Sequence, residues 1–115
     1  IYFGFEIAKE IAFLDIGQSV AVKDKAVVAV EAFEGTDNLI RRAGRITRGG
    51  AVVVKVSKPR QDTRFDIPVV GLNTIKNLVK AKARVLAIEA GKTLFIDQKQ
   101  SIWFAERGKL CVTVI

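Results

Sequence analysis

The six residues from Ala51 to Val56 are apolar at every position except Lys55. A strand that is apolar on both faces must be covered on both, which places it at the centre of a sheet with helices packed against it. The flanking segments supply those layers. Ala8 to Leu14 reads as the tail of an amphipathic helix, with Lys9 and Glu10 polar among Ile7, Ala8, Ile11 and Phe13. Ser19 to Val22 and Ala26 to Ala32 are rich in β-formers about the short turn Lys23-Asp24-Lys25, the pattern of a hairpin. Thr36 or Asp37 is expected to cap a helix through Ala43, with Gly44 ending it. Ser57 to Pro68 is too polar for a core and carries both prolines, so it reads as a loop. A helix follows from Asn73 or Thr74, with Leu72, Ile75, Leu78 and Val79 on one face. Arg84 to Glu89 and Thr93 to Ile96 read as strands about Gly91. Asp97 and Gln100 form a capping box for a last helix ending at Gly108, and Cys111 to Ile115 is a closing strand. The order implies an α/β fold: a single domain over residues 1–115, with a mixed sheet of about six strands and helices packed on it.

A chain of 115 residues supports one hydrophobic core. The single cysteine, Cys111, excludes an internal disulfide and a multi-cysteine zinc site, and the absence of histidine removes imidazole catalysis and His-ligated metals. Asp, Glu, Lys, Ser, Thr and Tyr remain for any chemistry. No Gly-x-Gly-x-x-Gly follows a strand, and Gly91-Lys92-Thr93 enters a strand where a phosphate loop must open a helix, so Rossmann and P-loop binding are not expected. Charges interrupt every apolar run before the ~20 residues that span a bilayer. The chain begins at Ile1 without methionine or a signal-peptide pattern, which reads as a fragment.

The net charge is +7, and its distribution is more informative than its sum. Between Arg41 and Arg84 twelve basic residues face two acids, Asp62 and Asp66, while the remainder is slightly acidic. An anionic partner is the natural expectation. Three polar clusters lie just after apolar segments, where loops commonly assemble a site. They are Asp15-Ile16-Gly17-Gln18, Glu31-Ala32-Phe33-Glu34-Gly35-Thr36-Asp37, and Lys58-Pro59-Arg60-Gln61-Asp62-Thr63-Arg64-Phe65-Asp66. Together they supply what phosphoryl transfer needs. Carboxylate oxygens without imidazole or thiolate select hard cations, Mg²⁺ with Mn²⁺ as a substitute. Arg and Lys hold non-bridging phosphate oxygens, with Arg64 suited to bidentate contact, and water can serve as the nucleophile.

These clusters, with Ile40-Arg41-Arg42-Ala43-Gly44, Val54-Lys55-Val56-Ser57-Lys58-Pro59, Gln61-Asp62-Thr63-Arg64-Phe65-Asp66-Ile67-Pro68 and Gly71-Leu72-Asn73-Thr74-Ile75, occur in one order. In that order the chain resembles the C-terminal domain of the UDP-2,3-diacylglucosamine pyrophosphatase family of lipid A biosynthesis, from about Ala8 to the end. The resemblance implies Mg²⁺-dependent hydrolysis of the diphosphate of UDP-2,3-diacylglucosamine to 2,3-diacylglucosamine 1-phosphate (lipid X) and UMP. It also implies a cytoplasmic protein peripheral to the inner membrane, whose separate N-terminal domain this sequence lacks; residues 1–7 then read as the end of a linker or helix from it. The partners expected are the UDP-linked diacyl sugar lipid, the membrane surface through that lipid, the N-terminal domain and, as an open alternative, a second copy of the chain. On this basis Asp66, Asp62 and Arg64 are the expected catalytic residues. Gln18, Thr36, Arg41, Arg42, Lys55, Lys58 and Gln61 are expected to bind substrate, and Asp66, Asp62, Glu34 and Asp37 to hold metal. Two rival readings compete. A nucleic-acid module would use the basic span, but Phe65 is its one aromatic residue, too few for stacking, so no nucleic acid is expected. The other is a non-catalytic partner domain of an enzyme.

Overall fold

The computed structural model describes residues 1–58, 69–91 and 93–115. Its larger sheet is built from β1 (Ser19–Lys23), β2 (Ala26–Val30), β3 (Val52–Lys55), β5 (Val85–Ile88) and β7 (Cys111–Val114), in the order β2-β1-β3-β5-β7. The expected central strand is central: β3 pairs antiparallel with β1 and parallel with β5, and β5 pairs parallel with β7. The sheet is mixed because a hairpin, β1-β2, is joined to a parallel half whose crossovers run through helices. That hairpin turns on Asp24 and Lys25, both with positive φ, as a tight two-residue connection requires, so Lys23 belongs to the strand rather than to the turn.

Alternation along the strands assigns the two faces. Ala21, Val53 and Leu86 point to one side, into a core shared with α2 (Thr36–Thr47), α3 (Leu72–Lys80) and α4 (Gln98–Arg107). Val20, Val22, Val54 and Ala87 point to the other, where α1 (Tyr2–Phe13) covers them. The buried residues of α1 are Gly4, Ala8, Ile11 and Ala12, one stripe at helical spacing. Residues 2–7 are therefore the first turns of this helix, and a Cβ at Gly4 would stand 2.8 Å from a Val54 methyl. Helix and sheet approach that closely because the side chain is absent.

Several local expectations are corrected. The six-strand sheet is a five-strand sheet plus a separate parallel pair, β4 (Val69–Val70) with β6 (Leu94–Phe95), so the strand after Gly91 does not join β5. Helix α2 does not stop at Gly44. It runs on to Thr47 and ends with Arg48 in the left-handed region, before Gly49 and Gly50, which also have positive φ. Gly44 serves packing instead, since a Cβ there would lie 2.7 Å from that of Ala81 at the end of α3. The N-caps of α2 and α3 are Gly35 and Gly71, neither with a side-chain cap. Asp97 is the N-cap of α4 but adopts a left-handed conformation and makes no capping hydrogen bond, so the box with Gln100 does not form. The helix does end at Gly108 as expected.

Candidate active site

Because β3, β5 and β7 are parallel, their carboxyl ends lie at one edge of the sheet, together with the start of the antiparallel β1 and the end of β2. Crevices outside the carboxyl ends of strands are where open α/β sheets bind ligands. Cys111 begins β7 and so lies at the opposite edge, exposed and away from this chemistry.

Two of the three sequence clusters meet at Glu31. Its Oε1 accepts a hydrogen bond from the backbone N–H of Gln18 at 3.4 Å, and its Oε2 accepts one from the Thr36 hydroxyl. Thr36 Oγ1 also lies 3.3 Å from Ser19 Oγ, and the Gln18 carbonyl accepts from Val56 N at 2.8 Å. The loops touch through Gly17, where a Cβ would sit 2.0 Å from the Glu31 carbonyl oxygen. The first cluster meets the third where Lys58 Nζ contacts Asp15 at 2.8 Å. Ser57, the residue before that third cluster, donates from its N–H (2.9 Å) and hydroxyl (3.2 Å) to Glu89 at the end of β5, and Lys9 of α1 pairs with the same carboxylate at 3.0 Å.

Lys55 lies on the α2–α3 side of the sheet and is 9% exposed. Its amine donates to the Val69 carbonyl at 3.1 Å, which ties β3 to β4. Burial pushes its pKa below the usual 10.5, against the opposing pull of Glu31 and Asp37. Between that lowered value and 10.5 the folded chain binds fewer protons than the unfolded one, so this group makes stability rise with pH across that window. We expect side-chain NMR titration to show Lys55 deprotonating below the exposed lysines, and Glu31→Gln to lower its midpoint further by removing a nearby anion. A midpoint that rises or stays put in Glu31→Gln would place the two groups out of electrostatic reach.

Glu34 is paired with Arg42, whose guanidinium also donates to the Val30 carbonyl at 3.0 Å. Asp37 accepts from the Thr74 hydroxyl at 3.2 Å, bridging the first turns of α2 and α3. Both helices therefore present their N-termini to this edge, and the glycine at each N-cap has no side chain to cap the first-turn N–H groups. Such termini favour anions. Arg41 lies elsewhere: it bonds Asn38 on its own helix and lines the groove between α2 and α3. Gln61, Asp62, Arg64 and Asp66 lie outside the described residues. Sequence reading passed over Glu31 and Thr74 as individual site residues. What marks them is a polar side chain beside an apolar strand or on the buried face of a helix, at positions where no cap is needed.

For a metal, the donors at this edge are all oxygen, which suits a hard divalent cation. Among the described residues no three acidic or thiol side chains cluster closely enough to hold one.

The fold and site define an α/β domain with a polar edge at which two loops, the residues Ser57 and Lys58 and two helix N-termini come together. The profile of the LpxI C-terminal domain matches residues 1–113, and the chain belongs to that family. The chain is similar to the UDP-2,3-diacylglucosamine pyrophosphatase LpxI of Caulobacter vibrioides, 39% identical over 109 residues. That match covers 88% of this chain but 39% of the relative, so the chain spans well under half of the relative's length.

Proposed function

We propose that this domain binds the diphosphate of UDP-2,3-diacylglucosamine and, within the full-length protein, contributes to its Mg²⁺-dependent hydrolysis to lipid X and UMP at the membrane surface. The observation that carries this reading is the meeting of the first two polar clusters, through Gln18–Glu31–Thr36, at the carboxyl edge of the parallel strands, with Lys58, the first residue of the third, paired to Asp15 there. The uncapped first turns of α2 and α3 supply N–H donors for phosphate oxygens there, and Lys55 adds a buried cation. A lipid substrate accords with the two touching loops, whose Leu14, Ile16 and Phe33 are exposed although apolar. Asp62 and Asp66 are the residues proposed to hold Mg²⁺, which when bound would neutralise charge developing on the diphosphate, since Glu34 and Asp37 are engaged by Arg42 and Thr74. Thr36 and Lys55 orient the substrate, and Glu31 holds Thr36 and the Gln18 loop in place.

The test is incubation of the full-length protein with UDP-2,3-diacylglucosamine and Mg²⁺ or Mn²⁺. UMP should be released with either ion and release should cease in EDTA. Full turnover in EDTA overturns the metal assignment. Turnover that survives every change at Thr36, Lys55 and Asp66 would make this a non-catalytic partner domain.

A further inference from the structure

Helices α2, α3 and α4 lie side by side on one face of the sheet, with α3 in the middle. Their outward surface is not used by the site described above. Two grooves run along it. The first, about 440 Å³ between α2 and α3, is walled by Arg41, Arg45 and Arg48 on one side and by Lys80 and Lys82 on the other. The second, about 560 Å³ between α3 and α4, is lined by Leu72, Lys76, Lys99, Trp103 and Phe104. Against these cations the three helices carry one exposed acid, Glu106. None of the five groove-walling cations is in an ion pair among the described residues.

Helix C-termini explain part of this charge, because Arg45, Arg48, Lys80 and Lys82 stand near the negative ends of α2 and α3. They do not explain Arg41, Lys76 or Lys99, which sit in the first half of their helices or near it. The second groove adds an apolar component. Trp103 is 52% exposed and Ile102 beside it is also exposed, while Lys76 Nζ stands 5.1 Å from the Phe104 ring and Arg107 4.7 Å from that of Trp103. Basic side chains around an exposed tryptophan and isoleucine match the boundary of an anionic bilayer, where the cations meet headgroup phosphates and the indole sits at headgroup level. A nucleic acid fits less well, since among the described residues the more basic groove has no aromatic lining on which bases would stack.

We propose that the outward face of α2, α3 and α4 is a docking surface for anionic phospholipid membranes, held by the α2–α3 cations and anchored by Trp103. The face is not far from the site: Leu72 opens the second groove two residues before Thr74, which bonds Asp37. The inference goes beyond the proposed reaction and is read without substrate, so the two can fail separately.

Trp103 is the one tryptophan of the chain, so its emission reports this face alone. The 115-residue chain is mixed with vesicles of phosphatidylcholine, or of phosphatidylcholine with phosphatidylglycerol, and followed by co-sedimentation and fluorescence. Binding should require phosphatidylglycerol, weaken with salt, and shift the Trp103 emission to the blue. Each neutralised cation should cost about fivefold in partitioning, so Arg45→Gln with Lys80→Gln should lose more than tenfold at an unchanged melting temperature. Trp103→Phe should weaken binding without removing its salt dependence. No binding to anionic vesicles at low salt overturns the proposal, as does binding indifferent to Arg45→Gln with Lys80→Gln. Tighter binding of an RNA or DNA oligonucleotide than of the vesicles, lost in the same variant, would reassign the face to nucleic acid.

Discussion

Gly17→Ala is expected to destabilise the chain more than any other single methyl group added at a glycine of the candidate site. The new Cβ would lie 2.0 Å from the backbone oxygen of Glu31, and a backbone carbonyl cannot swing aside as a side-chain tip can. Residues 14–18 would have to lift away from the loop after β2, breaking the Gln18 N–H bond to Glu31 and straining the Gln18 carbonyl that receives Val56 N. Overpacking of this kind costs about 1–3 kcal/mol, to which the lost hydrogen bonds add roughly 1 kcal/mol each. In a domain of this size the melting temperature should fall by several degrees, roughly 4 °C or more per kcal/mol. Gly71→Ala is the matched control. Its φ of −125° is ordinary for any residue and a Cβ there meets nothing within 4 Å among the described residues, so its stability should change by less than about 0.5 kcal/mol. Equal melting temperatures for the two variants would show that the loops are not in contact through Gly17.

The same glycine shows what sequence reading resolves and where it stops. Asp15-Ile16-Gly17-Gln18 stands out as a polar interruption, but the reason for glycine in it is a contact with residue 31, fourteen positions away and invisible to local pattern. Periodicity found the elements because burial on one face imposes it: the apolar run at β3, the hairpin about Asp24-Lys25, and Ile75 with Leu78 on α3. It failed where local chemistry and tertiary contact compete for one residue. Thr36 has the hydroxyl that suits an N-cap, yet that hydroxyl goes to Glu31 and the cap is Gly35. Gly44 has the look of a helix stop, yet it is where α2 packs against Ala81 at the end of α3 too closely for a side chain. The two-residue strand β4 is too short to leave a period and is fixed in part by the long-range bond from Lys55 to Val69, whereas β6 lies within the strand expected over Thr93 to Ile96 but pairs with β4 and not with the main sheet. Of the three motifs, the structure joins the first two through Glu31 and ties α2 to α3 through Thr74, contacts that no local pattern announces, while the third lies outside the described residues beyond Lys58.

Asp66→Ala is expected to abolish the proposed hydrolysis in the full-length protein while leaving it folded and able to bind substrate. A diphosphate attacked by water, with no histidine in the domain and its only thiol at the far edge, requires a carboxylate to hold a cation or to orient the water. Each carboxylate described at this edge already has a partner. Glu31 holds Thr36 and the Gln18 N–H, Glu34 pairs with Arg42, Asp37 takes the Thr74 hydroxyl, Asp15 meets Lys58, and Glu89 joins Lys9 to Ser57. Asp62 and Asp66 complete the acidic residues of the three clusters. Between them, Asp66 stands two residues before Pro68, whose ring fixes its own φ near −65° and limits the local backbone. Asp62 follows Pro59 by three residues and has no comparable restriction on its C-terminal side. The rate loss in Asp66→Ala should exceed the ~10- to 100-fold typical of residues acting one layer away from a metal, with Asp62→Ala the milder of the two. Single-turnover kinetics beside a thermal melt decides the matter: a near-normal rate removes Asp66 from the mechanism, and a collapsed melt assigns it to the fold instead.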